Sequence, residues 1–115
     1  MAQNAPASTI TPGGANLVTG GGSFSALNVS AAKVVKATPG RLCKIIVGGT
    51  VGTGGAYTLN DCATTGAAAA GNQIASFVGT TAVGTVITLD WPCATGIVLS
   101  AFATGGSPTL SISYS

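Results

Sequence analysis

From Ser23 to the end, the chain is a succession of short alternating stretches closed by glycine or proline, and no fold built on long helices suits that pattern. Thr109–Tyr114 shows it most cleanly, with Leu110, Ile112 and Tyr114 alternating with Thr109, Ser111 and Ser113. A period of two puts one set toward a core and leaves a hydroxyl face in water. Phe24–Val29, Lys33–Thr38, Arg41–Val47, Ala56–Asp61, Asn72–Val78, Thr85–Trp91 and Ile97–Ala103 read the same way. Asp61–Gly71 is alanine-rich, but four alanines between glycines cannot sustain a helix alone, so a loop with one helical turn is expected there. About eight short antiparallel strands predict an all-β fold, a jelly-roll-like β-sandwich, with an immunoglobulin-like sandwich or a small barrel as neighbouring solutions. Trp91 lies two residues before Cys93, which is not the cysteine and tryptophan spacing of a true immunoglobulin domain.

Turn chemistry sets the expected boundaries. Pro39 fixes φ and Gly40 accepts a positive φ, so Ala31–Gly49 is expected to form a hairpin with a type II turn. Within it Cys43, Ile45 and Val47 should face one way, and Leu42, Lys44 and Ile46 the other. Pro92 is expected to end its strand by withdrawing a ladder donor, and Gly96 to turn the chain before Ile97. Residues 1–22, with Pro6, Pro12 and two glycine clusters among small polar residues, are expected to form a flexible N-terminal arm ahead of a single domain over 23–115.

Charge is scarce. Only 5% of the 115 residues are charged against 46% hydrophobic, too little charge for an ordinary monomer surface and too much apolar side chain for a disordered tail. Much of the surface is therefore expected to be covered by copies of the chain or by a larger assembly. Lys33, Lys36, Arg41 and Lys44 are all the basic residues and all fall in the expected hairpin, which makes them candidates for contact with an acidic protein surface or for edge protection. A net charge of +2, without a basic run or stacking aromatics, does not point to nucleic acid. No apolar run approaches the ~20 residues of a membrane span, and the first residues lack the pattern of a secretory signal.

Catalytic chemistry has little to draw on. The chain has no His and no Glu, which rules out a His-centred nucleophile triad and His-ligated zinc. Asp61 and Asp90 are the only carboxylate side chains, and each has a plain structural reading at a strand end. Cys43, Cys62 and Cys93 carry no metal-binding spacing. Cys62 and Cys93 are candidates for one bridge, and buried free thiols are the alternative. The glycines from Gly48 to Gly55 lack the Lys-Ser/Thr of a phosphate loop. No catalytic, metal or cofactor site is expected. Trp91, the single tryptophan, is a candidate for core or subunit contact together with Phe24, Tyr57, Phe77, Phe102 and Tyr114.

The segments LNVSAAKVVKATPGRLCKIIV, NDCATTGAAAAGNQIASF, TVITLDWPCATGIVLSAF and the terminal SISYS resemble small virion structural proteins of tailed bacteriophages, over about Ala26 to Ser115. The resemblance implies a capsid decoration or cement protein: a β-sandwich that forms a homotrimer, contacts the major capsid protein where capsomers meet, and resides in the virion. A head-fibre, collar or tail subunit is the alternative within that class. A surface- or carbohydrate-binding β-module is a further one from outside it.

Overall fold

The computed structural model describes residues 22–115; the expected arm lies, except for Gly22, outside the described residues. Eight strands form two four-stranded antiparallel sheets. In chain order they are β1 (Phe24–Val29), β2 (Lys33–Lys36), β3 (Gly40–Gly49), β4 (Gly54–Asn60), β5 (Gln73–Val78), β6 (Val86–Cys93), β7 (Ile97–Thr104) and β8 (Pro108–Tyr114). Sheet A runs β1-β8-β3-β6 and sheet B runs β2-β7-β4-β5. Two short 3-10 turns, Thr65–Ala67 and Ala70–Asn72, occupy the alanine-rich loop before β5.

The core lies between the inner faces of the two sheets. Sheet A contributes Val29, Leu42, Ile45, Val47, Cys93, Leu110 and Ile112, and sheet B contributes Tyr57, Leu59, Ile97 and Leu99. The clean alternation of β8 holds, with Leu110 and Ile112 buried between more open Thr109, Ser111 and Ser113. Tyr57 stands at the centre of the aromatic contacts, with its ring centroid 4.9 Å from Phe77 and 5.0 Å from Phe102, the latter edge-on. Each such pair contributes about 0.5–1.5 kcal/mol beyond the area it buries.

Ala31–Gly49 is not a hairpin. β2 pairs with β7 in sheet B, whereas β3 pairs with β8 and β6 in sheet A, so Ala37-Thr38-Pro39 crosses between the sheets. Gly40 is not among the residues with positive φ, and the type II turn is absent. A glycine is required there by proximity: a Cβ on Gly40 would collide with the Ser115 carbonyl and lie 2.9 Å from Lys36 Nζ. A turn signal reports that the chain bends, not which strand receives the next ladder.

Pro92 does not end its strand either; β6 continues to Cys93. Arg41, opposite Pro92, donates its N–H to the Ser115 carbonyl and accepts from the Ser115 N–H, both at 2.9 Å. Its backbone groups therefore point toward the β8 side, and Arg41–Pro92 is a pair without ladder bonds. Proline costs β6 nothing there, and β6 is an edge strand.

Bulges interrupt the expected alternation on both sides of β8. The register shifts between Leu42 and Lys44 in β3, so Leu42 and Cys43 are both buried, and it shifts again between Ala26 and Val29 in β1. A bulge leaves a backbone donor off the ladder. Two serines of β8 meet this need: Ser113 Oγ accepts from the Lys44 N–H at 3.1 Å, and Ser111 Oγ from the Asn28 N–H at 3.4 Å. Asn28 sits at φ 52°, a region that Asn tolerates better than most residues.

The Tyr57 hydroxyl is fully buried without a hydrogen-bond partner, and burial pushes its pKa up. An unsatisfied buried hydroxyl costs on the order of 1–3 kcal/mol. Tyr57→Phe is therefore expected to raise stability by about 1 kcal/mol in denaturant titration, and Tyr57→Ala to lower it by about 3–5 kcal/mol. A clear loss on Tyr57→Phe would show that the hydroxyl is paired.

Candidate functional surfaces

The four basic residues separate in space. Lys33 and Lys36 lie on β2, at the edge of sheet B, while Arg41 and Lys44 lie on β3, inside sheet A. The hairpin that would have grouped them does not exist. Arg41 is also engaged: its Nη1 donates to the Asp90 backbone carbonyl at 2.9 Å and to Asp90 Oδ1 at 3.2 Å. Asp90 has φ 48°, so Arg41 holds the irregular turn of β6 in place from the neighbouring strand. With the two side chains 40% and 56% exposed, the ion pair itself contributes about 0–1 kcal/mol.

Asp61 is used internally as well. Its Oδ2 accepts from the Ala94 N–H at 2.8 Å, and its Oδ1 from Thr95 at 2.8 Å and Gly96 at 3.1 Å. The carboxylate thus closes the β6–β7 turn from the end of β4. Burial alone would raise its pKa, but the three N–H donors outweigh that and hold it below the ordinary carboxylate value. Gly96 is indeed at the turn, packed so closely that a Cβ would meet the carbonyls of Cys62 and Lys36. Asn60, 2% exposed, anchors the adjoining loop: its Nδ2 donates to Ala69 O at 3.0 Å and Asn72 Oδ1 at 2.8 Å, and its Oδ1 accepts from the Ser100 hydroxyl. Nothing in the alanine-rich sequence signals that Asn60, Asn72 and Ser100 would meet.

All three cysteines are buried free thiols, so Cys62 and Cys93 are not bridged in this structure. Burial pushes Cys93 up to about 11 and raises Cys43 also. Such thiols are protonated at neutral pH and poor nucleophiles. Among the described residues, no group of three or more His, Cys, Asp or Glu could hold a metal ion, and no helix is long and apolar enough to cross a membrane.

Of the six aromatic candidates, Tyr57 is in the core, and Phe77, Phe102 and Tyr114 pack against it half-buried. Phe24 and Trp91 are 61% and 53% exposed and stand outside it. Cross-strand register places Phe24 opposite Tyr114, Tyr114 opposite Leu42 and Leu42 opposite Trp91, a row across all four strands at one end of sheet A. Trp91 is thus on the surface, where its remaining reading is contact with another chain. The outer face of the same sheet carries a shallow groove of about 160 Å³, walled by Leu27 and Ile46, floored by Ser111 and Ser113, with Lys44 beside it. Val86 lies opposite Ile46 and extends the apolar strip to β6.

Comparison of the chain with protein-family models, with curated proteins and with solved structures finds no match.

The Asp61 clamp has a signed pH dependence. Its folded pKa lies below the unfolded value, so its contribution is complete above the unfolded pKa and is lost as pH falls through the folded one. Asp61→Ala is expected to cost on the order of 2 kcal/mol at pH 7, and that deficit should shrink in unfolding titrations carried into the acid range. A deficit unchanged at low pH would show that the carboxylate charge plays no part.

Proposed function

We propose that this protein is a non-catalytic capsid decoration, or cement, protein of a tailed bacteriophage head: a jelly-roll sandwich that associates as a homotrimer and binds the major capsid protein where capsomers meet. The observation that carries the reading is the strand order. β1 neighbours β8, β2 neighbours β7, β3 neighbours β6 and β4 neighbours β5. A long antiparallel hairpin wrapped around a core would produce that nesting, so the order supports a jelly roll, an arrangement recurrent in viral capsid proteins. The sequence resemblance over Ala26 to Ser115 points to the same class.

The surface suits binding in many copies. Leu27, Ile46, Val78, Val86 and Trp91 are exposed on a chain of 115 residues with only six charged side chains. Lys33, Lys36 and Lys44 form no salt bridge among the described residues. They favour a partner surface that supplies carboxylates, with orientation gained more than raw affinity. Weak identical contacts become strong together on a repeating lattice. Lectin domains share the jelly-roll arrangement, and exposed Phe24 and Trp91 are the observation that favours a surface-binding module as the second reading.

The test is co-sedimentation of the purified protein with purified phage heads and with isolated tails or fibres. Stoichiometric pelleting with heads is expected, and binding to tails or fibres alone would move the protein to the alternative role. A protein that pellets with neither would overturn the reading. Lys33→Ser with Lys36→Ser is expected to weaken head binding about tenfold, close to 1.4 kcal/mol, with the thermal midpoint nearly unchanged. Equal binding by that variant would remove these charges from the contact.

A further inference from the structure

β1 is an edge of sheet A, and it holds two large apolar side chains in the open: Phe24 is 61% exposed and Leu27 70%. They lie on opposite faces. Phe24 stands opposite Tyr114, with ring centroids 5.8 Å apart, on the side of Leu110 and Ile112. Leu27 and Ser25 belong to the outer groove with Ile46. A segment that covers both must present apolar side chains to both faces in turn, as a strand does.

The start of β1 selects a segment of the same chain. Gly22 sits at φ 82° and is the last of the run Gly20-Gly21-Gly22. Three-residue hairpin loops end in such a left-handed residue, which forms a glycine bulge. That bulge keeps the N–H of the next residue off the hairpin ladder, and the Ser23 N–H is spent on the Tyr114 carbonyl at 3.0 Å. The direction of the following groups agrees. Ser115 exchanges both its backbone bonds with Arg41 of β3, so Tyr114 faces β1. In the register that pairs Phe24 with Tyr114 and Ser25 with Ser113, Ser25 then turns its N–H and C=O to the open edge.

We propose that Asn16–Thr19, joined to β1 by the loop Gly20–Gly22, pairs antiparallel along the open edge of sheet A and covers both exposed side chains of β1. That loop sets Thr19 opposite Ser23, Val18 opposite Phe24 and Leu17 opposite Ser25. Cross-strand partners share a face. Val18 therefore joins the row of Phe24 and Tyr114, and Leu17 joins the groove face beside Leu27. Leu17 and Val18 are the only large aliphatic residues between Ile10 and Phe24, and both land against apolar neighbours. The segment has no charge to set against Lys44 at the groove. β1 keeps regular register from Phe24 to Ala26, and the shift between Ala26 and Val29 ends the pairing there. The expected arm then starts ahead of Asn16. The decoration reading is not needed for this pairing.

The test is disulfide formation within the full chain in a glutathione redox buffer, without phage heads. The three native thiols are buried, and directly opposed residues of such a ladder lie within disulfide reach. Leu17→Cys with Ser25→Cys is expected to show an effective concentration at least tenfold above that of Val18→Cys with Ser25→Cys. The second pair is one residue closer in sequence, so a chain without the hairpin would link it as readily, whereas in the hairpin Val18 is on the other face. Adding Thr19→Pro removes the first ladder donor of the added strand and should abolish the difference. Circular dichroism verifies that each variant is folded. Equal effective concentrations for the two pairs would overturn the proposal, as would a preference that survives Thr19→Pro. A bond between two chains would assign the edge to the arm of another copy and overturn it also. Head binding is a separate measurement, so failure of the pairing and failure of the decoration role give different results.

Discussion

Two small sheets must close on each other through very few large side chains, and the rest of the structure depends on that closure. Tyr57 carries much of it, ringed by Phe77 and Phe102 on its own sheet and set among Leu and Ile side chains of both. Its buried, unpartnered hydroxyl is tolerated at a cost of about 1–3 kcal/mol because the ring fills the space. Smaller residues elsewhere let the backbones approach closely. The strand order is nested, and Phe24 pairs with Tyr114 near opposite ends of the described chain. Such non-local pairing closes large loops before it is rewarded, and folding is expected to be slow for the protein's size.

Closure also needs irregular strands. Sheet A bulges at Cys43, Asn28 and Asp90, each held by a polar group from a neighbouring strand, and the pairings of sheet B shift register as well. Ser113 and Ser111 serve the first two, and Arg41 the third. The serines of β8 that look like a solvated hydroxyl face are thus also internal acceptors. Asp61 plays the corresponding part at the β6–β7 turn. In a chain with six charged residues, half are spent on holding the backbone in shape.

That economy shapes the surface. Lys33, Lys36 and Lys44 remain on two different sheets, and the exposed apolar side chains are spread over strands and one sheet end. A surface of this kind meets water largely through hydroxyls and backbone, and it carries several low-charge faces. Lysines at the ends of β2, Pro92 in β6 and register shifts in the edge pairings are features that disfavour further strand pairing. β5 too carries an irregularity, a register shift against β4 between Leu59 and Asn60.

Much of the fold is legible in the sequence. Alternation in β8 and β5, glycine and proline between segments, and the absence of a helix-sustaining run are local properties, readable without knowing any partner strand. They determined about eight strands, their approximate bounds, the inward face of Leu110 and Ile112 and the shared face of Cys43, Ile45 and Val47. The absence of His and Glu limited the chemistry in the same direct way. Strand partners were not legible. Pro39 and Gly40 bend the chain, but whether β3 returns to β2 or crosses to the other sheet depends on which faces bury each other, and that is a property of all eight strands together. The split of the basic residues between two sheets, the exposure of Trp91 and the passage of β6 through Pro92 follow from that choice. The sequence by itself determined what kind of strands this protein has; only the tertiary structure decided their neighbours, because hydrogen-bond register and sheet closure are set by contacts far apart in the chain.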